Sequence, residues 1–306
     1  PKTGASASIL TLMITFFTIP KPFDTQYRLL QYNAIRSWKT VVPDAQVLLF
    51  GDEPGIVDAG REFQAEVFDG IAKSSLNTPF LDEVFRLAHD QARFDRICFI
   101  NTDIILLPDF VEACNAIDRK RFLMVGCRYD IDVTEEVTVN ASSEAHFRRN
   151  AVRSSIDDGQ YGSDFFLYTK ATGLREIPNF IVGRPGWDNW MIYRARMLRV
   201  PVIDASKSIF CVHQNHDYAH VPAKQGDKWH GPEGAHNFSL FTKAERFSLI
   251  DATHRLEDRH LRWNLTPRHR KRLLSTLQKT HPELLPIYRI VWALARLKNR
   301  CFPRRS

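Results

Sequence analysis

Residues 97–109 read Ile-Cys-Phe-Ile-Asn-Thr-Asp-Ile-Ile-Leu-Leu-Pro-Asp, and this stretch decides the fold class. Apolar residues run straight into Asn101-Thr102-Asp103 and resume at Ile104. A continuous apolar run of strand length suits a strand covered on both faces, as in a parallel sheet. A carboxylate at the end of such a strand is costly to bury unless it is paired or binds a cation. Ligands of open α/β sheets sit at the carboxyl ends of the strands. Asp103 is therefore a candidate metal- or phosphate-site residue. The plainer alternative is an Asx turn that closes the strand.

Upstream, residues 9–18 are strongly apolar and predict a first buried strand, ended by Ile19-Pro20-Lys21-Pro22 because proline lacks the ladder donor. Tyr27, Leu30, Ala34 and Trp38 fall near helical spacing. Residues 47–50 and 65–68 predict two more strands, and Phe80, Val84, Leu87, Ala88 and Gln91 a second helix. Strand and helix alternate, which points to a parallel α/β sheet. No Gly-x-Gly-x-x-Gly follows the first strand and no Walker A motif is present, which argues against a dinucleotide site or a P-loop. Downstream, residues 122–125, 165–168, 200–204 and 209–212 predict further strands. Residues 130–160, polar and aperiodic, predict a long mobile loop, either a lid over a site or surface decoration.

The chain has 306 residues, enough for a full core with a small appendage. It begins at Pro1 rather than Met, which leaves room for an upstream segment. Its five cysteines are odd in number and include no Cys-x-x-Cys pair, so a reducing, cytoplasmic compartment is expected rather than a disulfide framework or a thiolate zinc site. The net charge of +7 is concentrated at one end. Residues 267–306 carry a balance of +10, and the remainder carries −3. No nucleic-acid partner is expected of the main domain, because the basic character belongs to the tail.

Three further clusters carry chemistry. Gly162-Ser163-Asp164 precedes a strand and offers a carboxylate and a hydroxyl at the sheet rim. Gly186-Trp187-Asp188-Asn189-Trp190 turns a loop into a helix; Asp188 or Asn189 suits a helix cap, and the tryptophans suit a cleft wall. Cys211-Val212-His213-Gln214-Asn215-His216 opens a region in which His213, His216, His220, His230 and His236 lie close in sequence, a pattern compatible with metal or phosphate.

In order and spacing, over roughly residues 8–240, these pieces resemble the nucleotide-sugar-dependent glycosyltransferases of the GT-A type. The resemblance implies a Rossmann-like, mostly parallel central sheet flanked by helices. It implies transfer of a sugar from a nucleotide-sugar donor, UDP- or GDP-linked, to a hydroxyl of a glycan or lipid-linked glycan, as in polysaccharide biosynthesis. The family's Asp-x-Asp motif is matched by Asn101-Thr102-Asp103, which makes Asp103 the metal ligand and gives Asn101 the donor ribose or a metal-bound water. A later family histidine is matched best by His213 and second by His216. Mixed carboxylate and imidazole ligation favours Mn²⁺ over Mg²⁺. Asp188 matches the base of inverting members, and inversion is the expected outcome; in a retaining enzyme it would only bind substrate. Asp164 is then expected at the donor sugar, Thr18 beneath the nucleotide, Asp52 at base or ribose, and Lys73 and Arg86 at phosphate. The alternatives are a sugar-nucleotide nucleotidyltransferase, whose Gly-rich loop is missing after the first strand, and a non-catalytic glycan-binding or scaffold protein on the same fold.

Residues 1–240 are thus expected to form the catalytic domain and 241–306 a helical basic C-terminal region. Ile287, Ile290, Val291 and Leu294 follow one helical face, with Arg289, Arg296 and Arg300 opposite and Tyr288 and Trp292 at hand. Arg268, Arg270, Lys271 and Arg272 add a second basic cluster. The expectation is peripheral attachment to an anionic membrane at its inner face, with packing on the catalytic domain or another subunit as the alternative.

Overall fold

A computed structural model of the chain describes residues 12–23, 27–153, 163–216, 231–284, 286 and 290. The chain divides into two compact units, Pro1–Trp263 and Asn264–Ser306.

The first unit opens with three strands alternating with two helices: β1 Ile14–Thr18, α1 Tyr27–Val41, β2 Gln46–Phe50, α2 Ile56–Phe63 and β3 Glu66–Phe68. After α3, Leu81–Gln91, come β4 Arg96–Ile100, β5 Ile104–Ile105, α4 Asp109–Asn115, β6 Leu123–Val125 and β7 Arg128–Ile131. Then follow α5 Ala141–Asn150, β8 Val152–Arg153, β9 Phe165–Thr169, α6 Trp187–Met197, β10 Val202–Asp204, β11 Cys211–Gln214 and α7 Pro232–Ser239. A hairpin, β12 His254–Glu257 and β13 His260–Trp263, closes the unit. It turns through Asp258 and Arg259, whose φ values of 51° and 62° suit the tight two-residue connection. The hairpin joins the sheet through parallel pairing of β12 with β10, so the sheet continues beyond residue 240.

The main sheet has the order β13-β12-β10-β6-β9-β4-β1-β2-β3 and is parallel except for β9 and β13. The expected fold class, an α/β domain on a mostly parallel central sheet flanked by helices, is the one observed. Alternation along each strand divides the core in two. Ile14, Phe16, Cys98 and Ile100 pack on the side of Trp38 and Phe110. Phe17, Ile97 and Phe99 pack on the side of Phe85 and Trp187. Burial on both faces is why these strands read as unbroken apolar runs. A second sheet, β5-β11-β7-β8, stands beside the first and pairs β11 parallel to β7.

The strand order positions the site. The chain places β2 and β3 on one side of β1 and then returns to put β4 on the other. Ligand crevices of open α/β sheets form at such a reversal, outside the carboxyl ends of the two central strands. Here those ends carry Thr18 and Asn101. Strand β9 runs antiparallel to β4, so its first residues, preceded by Asp164, come to the same edge.

Residues 130–160 contain ordered structure where the sequence predicts a mobile loop. Strand β7 extends to Ile131, and α5 is started by Asn140, whose side chain accepts hydrogen bonds from the backbone N–H groups of Ser142 and Ser143. Phe147 is the one buried residue of α5, so the helix shows almost no apolar periodicity for a sequence reading to detect. Asp157, Asp158 and Gly159 lie outside the described residues. The four described cysteines are free and buried, and no described helix is long and apolar enough to cross a membrane.

In the second unit, α8 spans Pro267–Thr280 and is capped by the Thr266 hydroxyl, which accepts from the His269 N–H at 3.3 Å. Arg268, Arg270, Lys271 and Leu274 are exposed on it, and it contains no acidic residue. The amphipathic pattern at 287–300 lies outside the described residues apart from Ile290, which is exposed.

Candidate active site

Asp103 sits one turn past β4 and is three-quarters or more buried, with its side chain 15% exposed. Its Oδ2 lies 3.0 Å from His216 Nε2, 3.8 Å from His213 Nε2 and 3.9 Å from Lys21 Nζ. Its Oδ1 is buried and has no hydrogen-bond partner among the described residues. Burial works to raise the Asp103 carboxyl, but the His216 hydrogen bond and the charges of His213 and Lys21 outweigh it and hold it well below the usual carboxylate range. One ligand atom from each of Asp103, His213 and His216 falls within a span of 4.8 Å. A carboxylate with an unsatisfied buried oxygen and two imidazoles forms a donor set that fits a first-row divalent cation better than Mg²⁺.

Each ligand is placed by a strand end. β11 pairs antiparallel to β5, which directly follows Asp103, and His213 stands opposite Ile104. His216 follows two residues beyond β11, with Tyr27 edge-on to its ring at 5.6 Å. Lys21 comes from the loop after β1, lies 3.0 Å from His216 Nε2, and stacks its ammonium 4.6 Å from the Tyr27 ring centre.

Asn101 and Asp164 are brought together. The Asn101 backbone N–H donates to the Asp164 carbonyl at 3.0 Å, and Asn101 Nδ2 donates to Asp164 Oδ1 at 2.8 Å. Arg128 donates to both Asp164 oxygens, at 3.2 and 3.1 Å. Asp188 stands in the first turn of α6, which begins after Gly186 with φ 107°. A Cβ at Gly186 would come within 2.4 Å of Phe241, so glycine is required there. Burial pushes the Asp188 carboxyl up, against the backbone N–H groups of the helix start, and the Asp164 charge adds to the rise. A carboxylate raised in this way is a better proton acceptor at neutral pH.

Other predicted residues are engaged elsewhere. Lys73 is ion-paired to Asp52 and, at 3.4 Å, to Glu53. The Lys73 hydrogen bond lowers the Asp52 carboxyl. Arg86 pairs along its own helix with Glu83 at 3.7 Å and Asp90 at 3.6 Å. The Thr18 hydroxyl, at the end of β1, is buried without a partner among the described residues. Trp187 and Trp190 do not line a cleft. Trp187 packs 4.9 Å from both Phe99 and Phe166, and Trp190 lies 5.7 Å from Phe180, because an aromatic at a helix start facing a sheet is absorbed by the core. The cap expected of Asp188 or Asn189 is absent, and the Asn189 side chain instead donates to the Phe247 carbonyl at 2.7 Å. Among the clustered histidines, His236 meets the Asn179 carbonyl, while His220 and His230 lie outside the described residues.

Sequence reasoning missed Lys21, Arg128 and Asp130. For Lys21 a signal existed: it follows the first strand of a parallel sheet, on the ligand edge. Arg128 and Asp130 gave none, since short charged strands look like loops.

No family model matches the chain, and no curated protein matches it in sequence. Several solved structures resemble it in three dimensions. S. aureus TarS 1-349 is 11% identical, with 88% of this chain and 80% of that one covered and a TM-score of 0.44. The mannosyltransferase PcManGT from Pyrobaculum calidifontis, solved with GDP-Man and Mn²⁺, is 10% identical over 67% of this chain and 57% of that one, at a TM-score of 0.43. A candidate glucose-1-phosphate thymidylyltransferase from Bacillus anthracis is 12% identical over 76% and 98%, at 0.38. The chain spans 37% of the length of a longer S. aureus TarS chain.

Proposed function

We propose that this protein transfers a glycosyl group from a nucleotide-sugar to a hydroxyl acceptor, with a divalent cation held by Asp103, His213 and His216. The observation that carries the reading is the convergence of these three ligand atoms within 4.8 Å, at the reversal of the strand order. Bound there, a divalent cation supplies positive charge for a departing diphosphate. Asp188 accepts the acceptor's hydroxyl proton as its oxygen attacks the anomeric carbon, giving inversion. Asp164, oriented by Asn101 and Arg128, hydrogen-bonds the donor sugar, and the partnerless Thr18 hydroxyl faces the nucleotide. The cation is Mn²⁺ in preference to Mg²⁺, the donor a UDP- or GDP-sugar, and the acceptor a glycan or lipid-linked glycan. Residues 264–306, the second unit, serve attachment. The exposed Arg268, Arg270 and Lys271 around Leu274 suit an anionic membrane surface, consistent with a peripheral enzyme at the cytoplasmic face.

The test is thermal stabilisation and calorimetry with UDP-, GDP-, CMP- and dTDP-sugars, with and without Mn²⁺. Stabilisation by one nucleotide class, enhanced by Mn²⁺ and lost in Asp103→Ala, is expected. An Asp103→Ala protein that keeps full activity returns the chain to the binding or scaffold reading. Liposome binding that survives deletion of residues 267–306 overturns the membrane assignment.

A further inference from the structure

The segment Arg128-Tyr129-Asp130 forms β7, paired parallel to β11 with Arg128 opposite Cys211 and Asp130 opposite His213. Side chains two apart in a strand share a face, so Arg128, Asp130 and His213 face the same way. Asp130 Oδ1 lies 2.9 Å from His213 Nδ1 and 3.1 Å from Arg128 Nε. Arg128 in turn holds both oxygens of Asp164, which accepts from Asn101. The other ring nitrogen of His213 points to Asp103, at 3.8 Å. The contacts therefore start at Asn101, pass through Asp164, Arg128, Asp130 and His213, and return to Asp103 two residues from where they began. Among Asp164, Arg128, Asp130 and His213 no side chain is more than a quarter exposed, Asp130 being the most accessible at 25%.

The Nδ1 contact, at 2.9 Å, is within hydrogen-bond distance. It decides the tautomer, because a carboxylate lone pair facing an imidazole lone pair at that distance would repel it. When the ring carries one proton it is therefore held on Nδ1, and Nε2 is the nitrogen left to give its lone pair to a cation beside Asp103. A histidine that ligates through one nitrogen commonly has its other nitrogen held by a carboxylate in this way.

We propose that Asp130 and Arg128 are positioning residues. Asp130 fixes the tautomer and ring orientation of His213, and Arg128 locks Asp130 to Asp164, so that the cation ligands and the sugar-side carboxylate form one frame. This rests on the assignment of Asp103 and His213 as cation ligands.

The test uses the full chain with ¹⁵N-labelled histidine. In the metal-free wild type, the neutral His213 ring is expected to carry its proton on Nδ1, read by two-bond ¹⁵N correlation spectra. Asp130→Ala is expected to lose that preference and to weaken Mn²⁺ binding, followed by electron paramagnetic resonance, by 10- to 100-fold. Arg128→Met is expected to act in the same direction but less. Asp130→Asn, which keeps the volume and drops the charge, serves if the alanine variant does not fold. A wild-type His213 protonated at Nε2 overturns the proposal, as does unchanged Mn²⁺ affinity in the folded Asp130 variants. A wild type that binds no Mn²⁺ overturns the cation reading instead, and the tautomer spectrum then decides the part played by Asp130.

Discussion

Lys21→Met removes an ammonium from the mouth of the proposed cation site while keeping most of the side-chain stem. Lys21 Nζ lies 3.9 Å from Asp103 Oδ2 and 3.0 Å from His216 Nε2, so one positive charge already serves two of the three ligand groups. A unit pair at this distance is worth about 1 kcal/mol in water and about 4 kcal/mol at an effective dielectric of about 20. Lys21 is 25% exposed and Asp103 15%, which puts the pair between those limits. An incoming divalent cation must give up that attraction or push the ammonium aside. Removing it is expected to strengthen Mn²⁺ binding by about 1–3 kcal/mol, or roughly 5- to 150-fold. Calorimetric titration of Mn²⁺ into the wild type and Lys21→Met measures this directly. The same variant is expected to bind UDP several-fold more weakly in the presence of a chelator, because Lys21 lies at the crevice where a diphosphate would rest. Mn²⁺ affinity that is unchanged or weaker in Lys21→Met would refute the view that the lysine and the metal compete for one carboxylate.

Asp188→Asn is expected to lower kcat by about 10²–10⁴ while leaving nucleotide affinity within a few-fold, as for loss of a general base; a kcat within tenfold of wild type would remove Asp188 from that role. Glu233, 6% exposed, is paired with Arg184 and accepts from the Ser74 hydroxyl, so Glu233→Ala leaves a largely buried guanidinium, 11% exposed, uncompensated. The expected cost is about 3–5 kcal/mol, read as a fall in the urea midpoint with unchanged slope; a shift under about 1 kcal/mol would contradict it. Burial, with the nearby charges of Lys170 and Arg175, brings the His89 pKa down to about 4. The unfolded chain takes up that proton near 6.5 and the folded chain only near 4, so stability is full above 6.5 and declines as pH falls towards 4, by up to about 3 kcal/mol. His89→Phe should lose about that much less than wild type between pH 7.5 and 4; identical acid sensitivity in the two proteins would show that His89 is not the group responsible.

Most strands of the Rossmann-like half, with α1 and α3, were legible because their signal is local, whereas the short helix α2 was not read. Strands β1, β2 and β4 are apolar on both faces, and α1 and α3 carry their core residues at helical spacing. Asp103, Asp164 and His213 were legible as polar groups abutting apolar strands, where burial has a cost that only pairing or a ligand offsets. The helix α5 was not, since it buries a single side chain. Nor were the engagement of Lys73 with Asp52 and Glu53 and the burial of both tryptophans, which depend on neighbours brought from other parts of the chain.

By itself, then, the sequence determined which segments must be buried strands and which charged residues stand at their ends, because period and composition act over a few residues. Tertiary structure alone decided that Lys21 faces Asp103, and that Arg128 and Asp130 tie His213 to Asp164. The first follows from β4 lying beside β1, and the second from β7 joining β11 in a separate sheet. Strand order and register are set by the packing of surfaces far apart along the chain, and no short-range pattern encodes which strand becomes a neighbour of which.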